Sequence, residues 1–295
     1  MSERIGKIAK GVGGLYFVYD EEGTLYECKP RGKFRNDNIK PLVGDNVRIE
    51  TLSGEGNRGT IEEILPRQNE LLRPASANLD QILIVFACAK PAPNLDLLDR
   101  FLLRMQLENI PVLLGFSKCE LITEEEKQET LAIYRSAGYS VSFFSVFEKV
   151  GLSGLSELLK GKTTAVAGPS GVGKSSLINC FCPDAGMETG EISRKIERGK
   201  HTTRHAEIFS ASFGGYLMDT PGFSTLFLNE IEAKDLWKYF PEMQEEEKFC
   251  RFTGCSHMEE PDCGVKNAVL EGRIAKTRYE SYRRIYQELA KIRRF

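Results

Sequence analysis

The sequence predicts a multidomain α/β protein: a small β-barrel, then a parallel α/β domain with a phosphate-binding loop, then a short helical segment around a Cys/His cluster. Three observations carry this expectation. Short alternating runs separated by Gly, Asn and Asp occupy residues 1–68. Apolar strand runs alternate with helical periods from residue 79, and AGPSGVGKSSL opens at residue 167 among them. After about residue 229 the strand pattern stops, and three cysteines and a histidine gather.

Composition sets the bounds. At 295 residues and 41% hydrophobic, the chain has material for two or three packed domains. No apolar run approaches the roughly 20 residues that span a bilayer. The start, MSERIGKIAKGVGG, lacks the apolar core of a signal peptide, so the expectation is a soluble cytoplasmic protein with no membrane partner. Of the eight cysteines, Cys28, Cys88, Cys119, Cys180 and Cys182 are scattered and read as small apolar residues rather than disulfide partners. A net charge of −2 excludes a chain coated in positive charge, although KPRGKFRNDNIK (29–40) and residues 266–295 are locally basic.

In the first region the runs GLYFVYD, TLYECKP, DNVRIETL and RGTIEEIL have the period of short strands in a small barrel. PRQNELLRPASAN (66–78) has neither period and reads as a linker. Next come the buried-strand run QILIVFA, the helical LDLLDRFLLRMQLEN and the strand PVLLGFS. Thr123 and Glu126 form a capping box that opens the helix EEEKQETLAIYRSAG, and YSVSFFSV is a third strand. GLSELLK is a short helix, TTAVAG a strand, and Lys174–Cys182 a helix; such alternation indicates a parallel sheet. Near the C-terminus Tyr282, Ile285, Leu289 and Ile292 make one apolar stripe, with Arg283, Arg284, Lys291 and Arg294 opposite it.

Gly168, Gly173, Lys174 and Ser175 match G-x-x-x-x-G-K-[ST] between a strand and a helix, the context the motif requires. The backbone from Gly168 through Pro169, Ser170, Gly171, Val172 and Gly173 to Ser175 and Ser176 is expected to wrap phosphates, with Lys174 reaching them and Ser175 holding Mg²⁺. Downstream, MDTPGF supplies D-x-x-G: Asp219 for Mg²⁺ and the Gly222 N–H for the γ-phosphate. Between them IERGKHTTRHAEI (196–208) reads as a switch loop in which Thr202 or Thr203 completes the Mg²⁺ shell. The base reader stands upstream. GFSKCEL ends a strand and approximates N-K-x-D through Ser117, Lys118 and Glu120, and the strand end at Ser145 marks a second guanine loop. The order is therefore that of a circular permutation, tolerable because the termini of such a domain lie at its surface.

Cys250, Cys255, His257 and Cys263 give C-x4-C-x-H-x5-C, four ligands suited to a closed, structural tetrahedral zinc site. Phosphoryl transfer rests on positioning and charge neutralisation. Ras-like GTPases place a Gln after D-x-x-G, but this chain has Phe223, so another group must orient water. His201 is the local candidate, with Arg198 and Arg204 available to neutralise charge and Lys174, Thr203 and Asp219 completing the catalytic set. Within the basic segment of the barrel, Phe34 either stacks on a base or packs.

These residues together resemble the ribosome small-subunit-dependent GTPases (RsgA, YjeQ or YloQ) over essentially the whole chain. The resemblance runs through the barrel, the reordered GPSGVGKSS, RGKHTTRH and DTPGF, and the Cys/His cluster. It implies an OB-fold at 1–68, a circularly permuted P-loop GTPase domain at 79–228 and a zinc-binding domain at 229–295. It further implies hydrolysis of GTP to GDP in late maturation of the bacterial 30S subunit, with binding to 16S rRNA, stimulation by the subunit, and a monomeric state. The family usually has N-K-x-D where this chain has Ser117-Lys118-Cys119-Glu120; Glu is one methylene longer than Asp, which bears on guanine selectivity. On the residues alone two other readings stay open: a P-loop ATPase or kinase with a structural zinc, and an RNA-binding scaffold that uses nucleotide with negligible turnover.

Overall fold

The computed structural model describes residues 2–32, 34, 39–51, 56–72, 75–187, 206–220 and 228–292. They fall into two compact units, one of residues 1–83, 153–167 and 173–224, the other of 84–152, 168–172 and 225–295. Among the described residues no helix is long and apolar enough to cross a membrane.

The first unit begins with a closed barrel of β1 (Ser2–Val12), β2 (Leu15–Asp20), β3 (Leu25–Pro30), β4 (Asn46–Thr51) and β5 (Arg58–Ile64). Its strand order, β1-β2-β3-β5-β4, with β3 and β5 parallel and the other pairs antiparallel, is that of an OB-fold. Alternate residues point inward, so Ile8, Val18, Tyr26, Cys28, Val47, Ile49 and Ile61 fill the barrel. Phe34 joins them at 7% exposure, which resolves its two readings in favour of packing.

The segment read as a linker contains two short strands. β6 (Glu70–Leu72) and β7 (Ala75–Ala77) pair antiparallel. Asn69 and Asn78 hold its two ends: Leu79 N donates to Asn69 Oδ1 at 2.9 Å, and Gln68 N to Asn78 Oδ1 at 2.8 Å. Side-chain amides bonding to backbone leave no hydrophobic period in the sequence. Arg67 forks onto the buried carboxylate of Asp45 at 2.7 and 2.9 Å, tying the strap to the barrel.

The α/β part is a six-stranded sheet ordered β10-β9-β8-β11-β13-β12. Its strands are β8 (Gln81–Ala87), β9 (Val112–Ser117), β10 (Ser140–Phe144), β11 (Thr163–Ala167), β12 (Glu207–Ser210) and β13 (Tyr216–Asp219). β10 and β9 are parallel, as are β11 and β13, and β12 runs antiparallel at the edge. β8 and β11 are buried throughout, which suits strands covered on both faces. Among the described residues the helices of this part are α1 (Leu95–Leu107), α2 (Glu124–Ser136), α3 (Leu152–Leu159) and α4 (Lys174–Phe181). The capping box of Thr123 and Glu126 opens α2 as its sequence requires. Within the first unit, barrel strand β1 lies against β12: Lys10 Nζ reaches the two carboxylate oxygens of Glu207 at 2.9 and 3.0 Å, and the rings of Tyr19 and Tyr216 stand 6.0 Å apart.

In the second unit the C-terminal segment is helical, with α5 (Pro241–Glu247), α6 (Gly264–Leu270) and α7 (Lys276–Ala290). Tyr282, Ile285 and Leu289 of α7 are buried, and Ile292 packs against the same core. The next member of that stripe toward the N-terminus is Arg278, only 2% exposed. Its guanidinium donates through Nε to Glu242 Oε1 at 2.6 Å and through Nη1 to Asp99 of α1, and it lies 4.7 Å from the centre of the Phe240 ring. Arg278 is thus a core residue rather than part of a basic face. Other cations of the two basic segments are also paired: Arg284 with Asp96, Arg283 with Glu259 and Arg31 with Glu62.

Because a buried carboxylate without its partner is costly, Arg278→Met is expected to destabilise the protein by about 3–5 kcal/mol, and Arg284→Ala, at an exposed pair, by less than about 1 kcal/mol. Urea titration followed by circular dichroism checks this; equal effects of the two substitutions would refute it.

Candidate nucleotide and metal sites

The phosphate loop starts where β11 ends. Gly168 has φ +139°, and a Cβ there would fall 2.1 Å from the Val85 carbonyl oxygen, so the strand-to-loop turn admits only glycine. Gly171 and Gly173 also take positive φ, and Gly173 stands at the N-terminus of α4. Pro169 is half-buried and Ser170 exposed, while Val172 is buried and anchors the loop. Ser175 and Ser176 follow Lys174 in the first turn of α4, and the first N–H groups of a helix point along its axis toward where an anion can bind.

The strand end that the sequence suggests as a base reader is bonded to this loop within the second unit. Ser117 is buried, and its hydroxyl donates to the Val172 carbonyl at 2.6 Å. Lys118, in a left-handed conformation at φ 57°, donates from Nζ to the Gly171 carbonyl at 2.9 Å and to that of Lys90. Its alkyl stem therefore runs between the base loop and the phosphate loop. Glu120 follows in a short 3-10 turn and is exposed. Ser117 thus already performs a tethering task with a single hydroxyl, in the place where the resemblance expects Asn.

Ser145 follows β10, whose Phe144 pairs with Ser117 in parallel register, so the two strand ends lie side by side. Its backbone exchanges both hydrogen bonds with Val150, and its hydroxyl accepts from Glu148 N at 3.0 Å. The Ser145 side chain is thus spent on closing the turn, and the turn's tip, with Phe147, is exposed.

In the first unit Lys174 and Asp219 form an electrostatic pair. Burial lowers the ammonium of Lys174 below its ordinary value while Asp219 counteracts; burial raises the carboxyl of Asp219 while Lys174 counteracts. A partly desolvated cation beside a partly desolvated carboxylate suits a site for phosphate oxygens and a hard divalent ion. Thr220 fixes the chain just beyond, its hydroxyl donating to the Val166 carbonyl at 2.8 Å. Arg198, His201, Thr202, Thr203, Arg204, Gly222, Phe223 and Arg294 lie outside the described residues.

The ligand atoms of Cys250, Cys255, His257 and Cys263 all lie within 4.8 Å of one another. His257 turns Nδ1 toward the sulfurs, 3.5 Å from Cys250 and 3.4 Å from Cys263. Burial pushes the Cys255 thiol up to about 12 and the His257 imidazole down to about 4, so bare thiolates are costly there and a metal cation fits. The cluster is suited to zinc. Helix α7 grips the ligand loop: Tyr279 donates to the His257 carbonyl and Tyr282 to that of Ser256, both at 2.7 Å. Trp237 meets the His257 ring edge to face at 6.0 Å. The sequence reading placed Tyr282 in the apolar stripe without foreseeing its hydroxyl's bond to the Ser256 carbonyl, and it missed Tyr279 and Arg278. Arg278 shares the helical stripe of Tyr282, Ile285 and Leu289, which is the signal that would have marked it as buried.

The family model described as RsgA GTPase matches residues 64–229, and that of the RsgA N-terminal domain matches residues 5–61. A small ribosomal subunit biogenesis GTPase RsgA from Agathobacter rectalis is 54% identical over 294 residues, covering 96% of this chain and 97% of that protein. Its counterpart from Alkaliphilus metalliredigens is 43% identical over 290 residues, covering 98% and 99%. Among solved structures, YjeQ from Thermotoga maritima matches with a TM-score of 0.80 at 36% identity, covering 99% of this chain and 100% of that one. YloQ, described as a circularly permuted GTPase, matches at 0.78 and 35%, covering 100% and 98%. The description of YloQ as a circularly permuted GTPase agrees with a chain order in which GFSKCEL precedes the phosphate-loop motif, and the chain belongs to the RsgA GTPase family.

Proposed function

We propose that this protein is a GTPase of small ribosomal subunit biogenesis, acting late in 30S maturation, binding 16S rRNA and hydrolysing GTP to GDP and phosphate with stimulation by the subunit. The observation that carries the nucleotide half is the tie of Ser117 and Lys118 to the carbonyls of Val172 and Gly171, which couples a base reader to a phosphate loop. The relatives' names, small ribosomal subunit biogenesis GTPase, support the ribosomal half. We place the protein in the cytoplasm as a monomer and divide it at 1–68, 79–228 and 229–295; the matched spans 5–61 and 64–229 support the first two divisions.

In this reading the backbone from Gly168 to Ser176 cradles the phosphates and Lys174 neutralises the β,γ charge. Ser175, Asp219 and Thr203 hold Mg²⁺, with Thr202 the alternative to Thr203. Held by these residues, the ion would supply positive charge that offsets that of the phosphate oxygens. Gly222 N–H faces the γ-phosphate, His201 orients water, and Arg198 and Arg204 offset charge. Glu120 accepts from the guanine edge while the Lys118 stem lies along the ring, and the turn after Ser145 borders the base. Cys250, Cys255, His257 and Cys263 hold one structural zinc, which fixes the loop that α7 grips.

Hydrolysis of GTP beside ATP, with and without purified 30S subunits, tests the proposal. GTP turnover that rises with subunits, and nearly vanishes in folded Lys174→Ala, is expected. Preference for ATP would instead support the ATPase or kinase reading, and absence of turnover on subunits the scaffold reading.

Glu120→Ala should weaken GDP binding by about 1–3 kcal/mol and erode preference over ADP, as expected for loss of a charged acceptor. Calorimetric titration with both nucleotides reads this, and an unchanged GDP affinity would remove Glu120 from the base site.

Zinc should copurify at about one per chain and contribute folding energy on the order of 10 kcal/mol, as in small zinc domains. Cys255→Ser is then expected to unfold the C-terminal segment selectively, read by proteolysis and metal analysis. Protein purified without chelators and free of zinc would refute the assignment.

A further inference from the structure

Strand β12 pairs with β13 so that Glu207 stands directly opposite Asp219. Cross-strand partners in an antiparallel pair project from the same face, with Cβ atoms about 5 Å apart, and two like charges so placed repel each other. Glu207 indeed adds to the rise of the Asp219 carboxyl, after burial and against Lys174. The counter-charge that balances Glu207 among the described residues comes from Lys10, in barrel strand β1, whose ammonium bridges both carboxylate oxygens at 2.9 and 3.0 Å. Neither side chain is fully exposed, at 39% and 34%, so solvent screens the pair only in part.

We propose that Lys10 is a positioning residue for the nucleotide site: it holds Glu207 and cancels its charge, and thereby sets how strongly the site beside Asp219 attracts a divalent cation and repels bare phosphates. The barrel thus contributes a charge to the nucleotide site without touching nucleotide. This rests on the reading above, in which Asp219 belongs to the magnesium site.

The consequence has a definite sign. With Lys10 neutralised, Glu207 leaves one uncompensated negative charge near the site. Mg²⁺ is then attracted more strongly, and GDP without Mg²⁺ is repelled. With Glu207 neutralised instead, Lys10 leaves one positive charge, and both effects reverse. With both neutralised, the local charge returns to its original sum. At separations of several ångströms in a solvent-exposed setting, one unit charge acting on a divalent ion shifts an equilibrium by about threefold or more.

The test is the ratio of GDP affinity in Mg²⁺ buffer to that in Mg²⁺-free buffer, measured by titration on the full-length protein without chelators, so that zinc is retained. Lys10→Met should raise this ratio by about threefold or more, Glu207→Gln should lower it, and the double variant should return toward the original value. Lys10→Arg, which keeps the charge, should leave it in place. A merely structural loosening at the β1–β12 contact would weaken GDP binding in both buffers and leave the ratio alone, so that outcome overturns the proposal. A double variant that fails to return does so too. Asp219→Asn is the separate arm: if it does not lower the ratio, the magnesium assignment falls and the proposal with it. If it lowers the ratio while Lys10→Met has no effect, only the role of Lys10 is refuted.

Discussion

The C-terminal segment is positioned by a buried charge. A guanidinium with no access to water needs its carboxylates in place, and Arg278 finds Glu242 on α5 and Asp99 on α1, residues far apart in sequence. The three-way contact leaves α7 little freedom to slide or roll, because a shift would strand an ionised group away from water. Tyr279 and Tyr282, on the same helix, carry that fixed position to the carbonyls of the metal loop. The apolar stripe of Tyr282, Ile285 and Leu289 supplies burial without direction; the ion cluster supplies the direction.

Local physics was legible and long-range physics was not. A capping box, a fully apolar strand and a glycine-rich turn each state their geometry within a few residues, so α2, β8 and the phosphate loop follow from their own letters. The strap that joins barrel to sheet escaped because Asn69 and Asn78 organise it by hydrogen bonds, which have no period. Arg278 escaped because it lies in a segment that reads as locally basic and its partners Asp99 and Glu242 are distant in sequence. Cations of the segments that read as locally basic proved to be partly paired with carboxylates, as in Arg284 with Asp96. Net charge along a segment says nothing of who stands across from it.

Ser117 shows how the site absorbs a change of residue. The strand end must be tied to the phosphate loop, and the requirement is one donor aimed at the Val172 carbonyl. A hydroxyl on a short stem meets it because β9 brings Ser117 close, and Lys118 adds a second tie to the same loop at Gly171. The two ties hold this strand end to the loop with Ser, rather than Asn, at its first position. The departure at Glu120 is different in kind, since that side chain is exposed and free to adjust its reach.

The edge-to-face contact of Trp237 with His257 has a use beyond packing. The chain contains a single tryptophan, so all indole emission comes from beside the Cys/His cluster. Any change in the charge or hydration of that imidazole alters the surroundings of the only strong fluorophore present. The protein therefore carries a built-in optical gauge of its own Cys/His cluster, readable in whole, unlabelled molecules and even in mixtures with RNA, which has no indole.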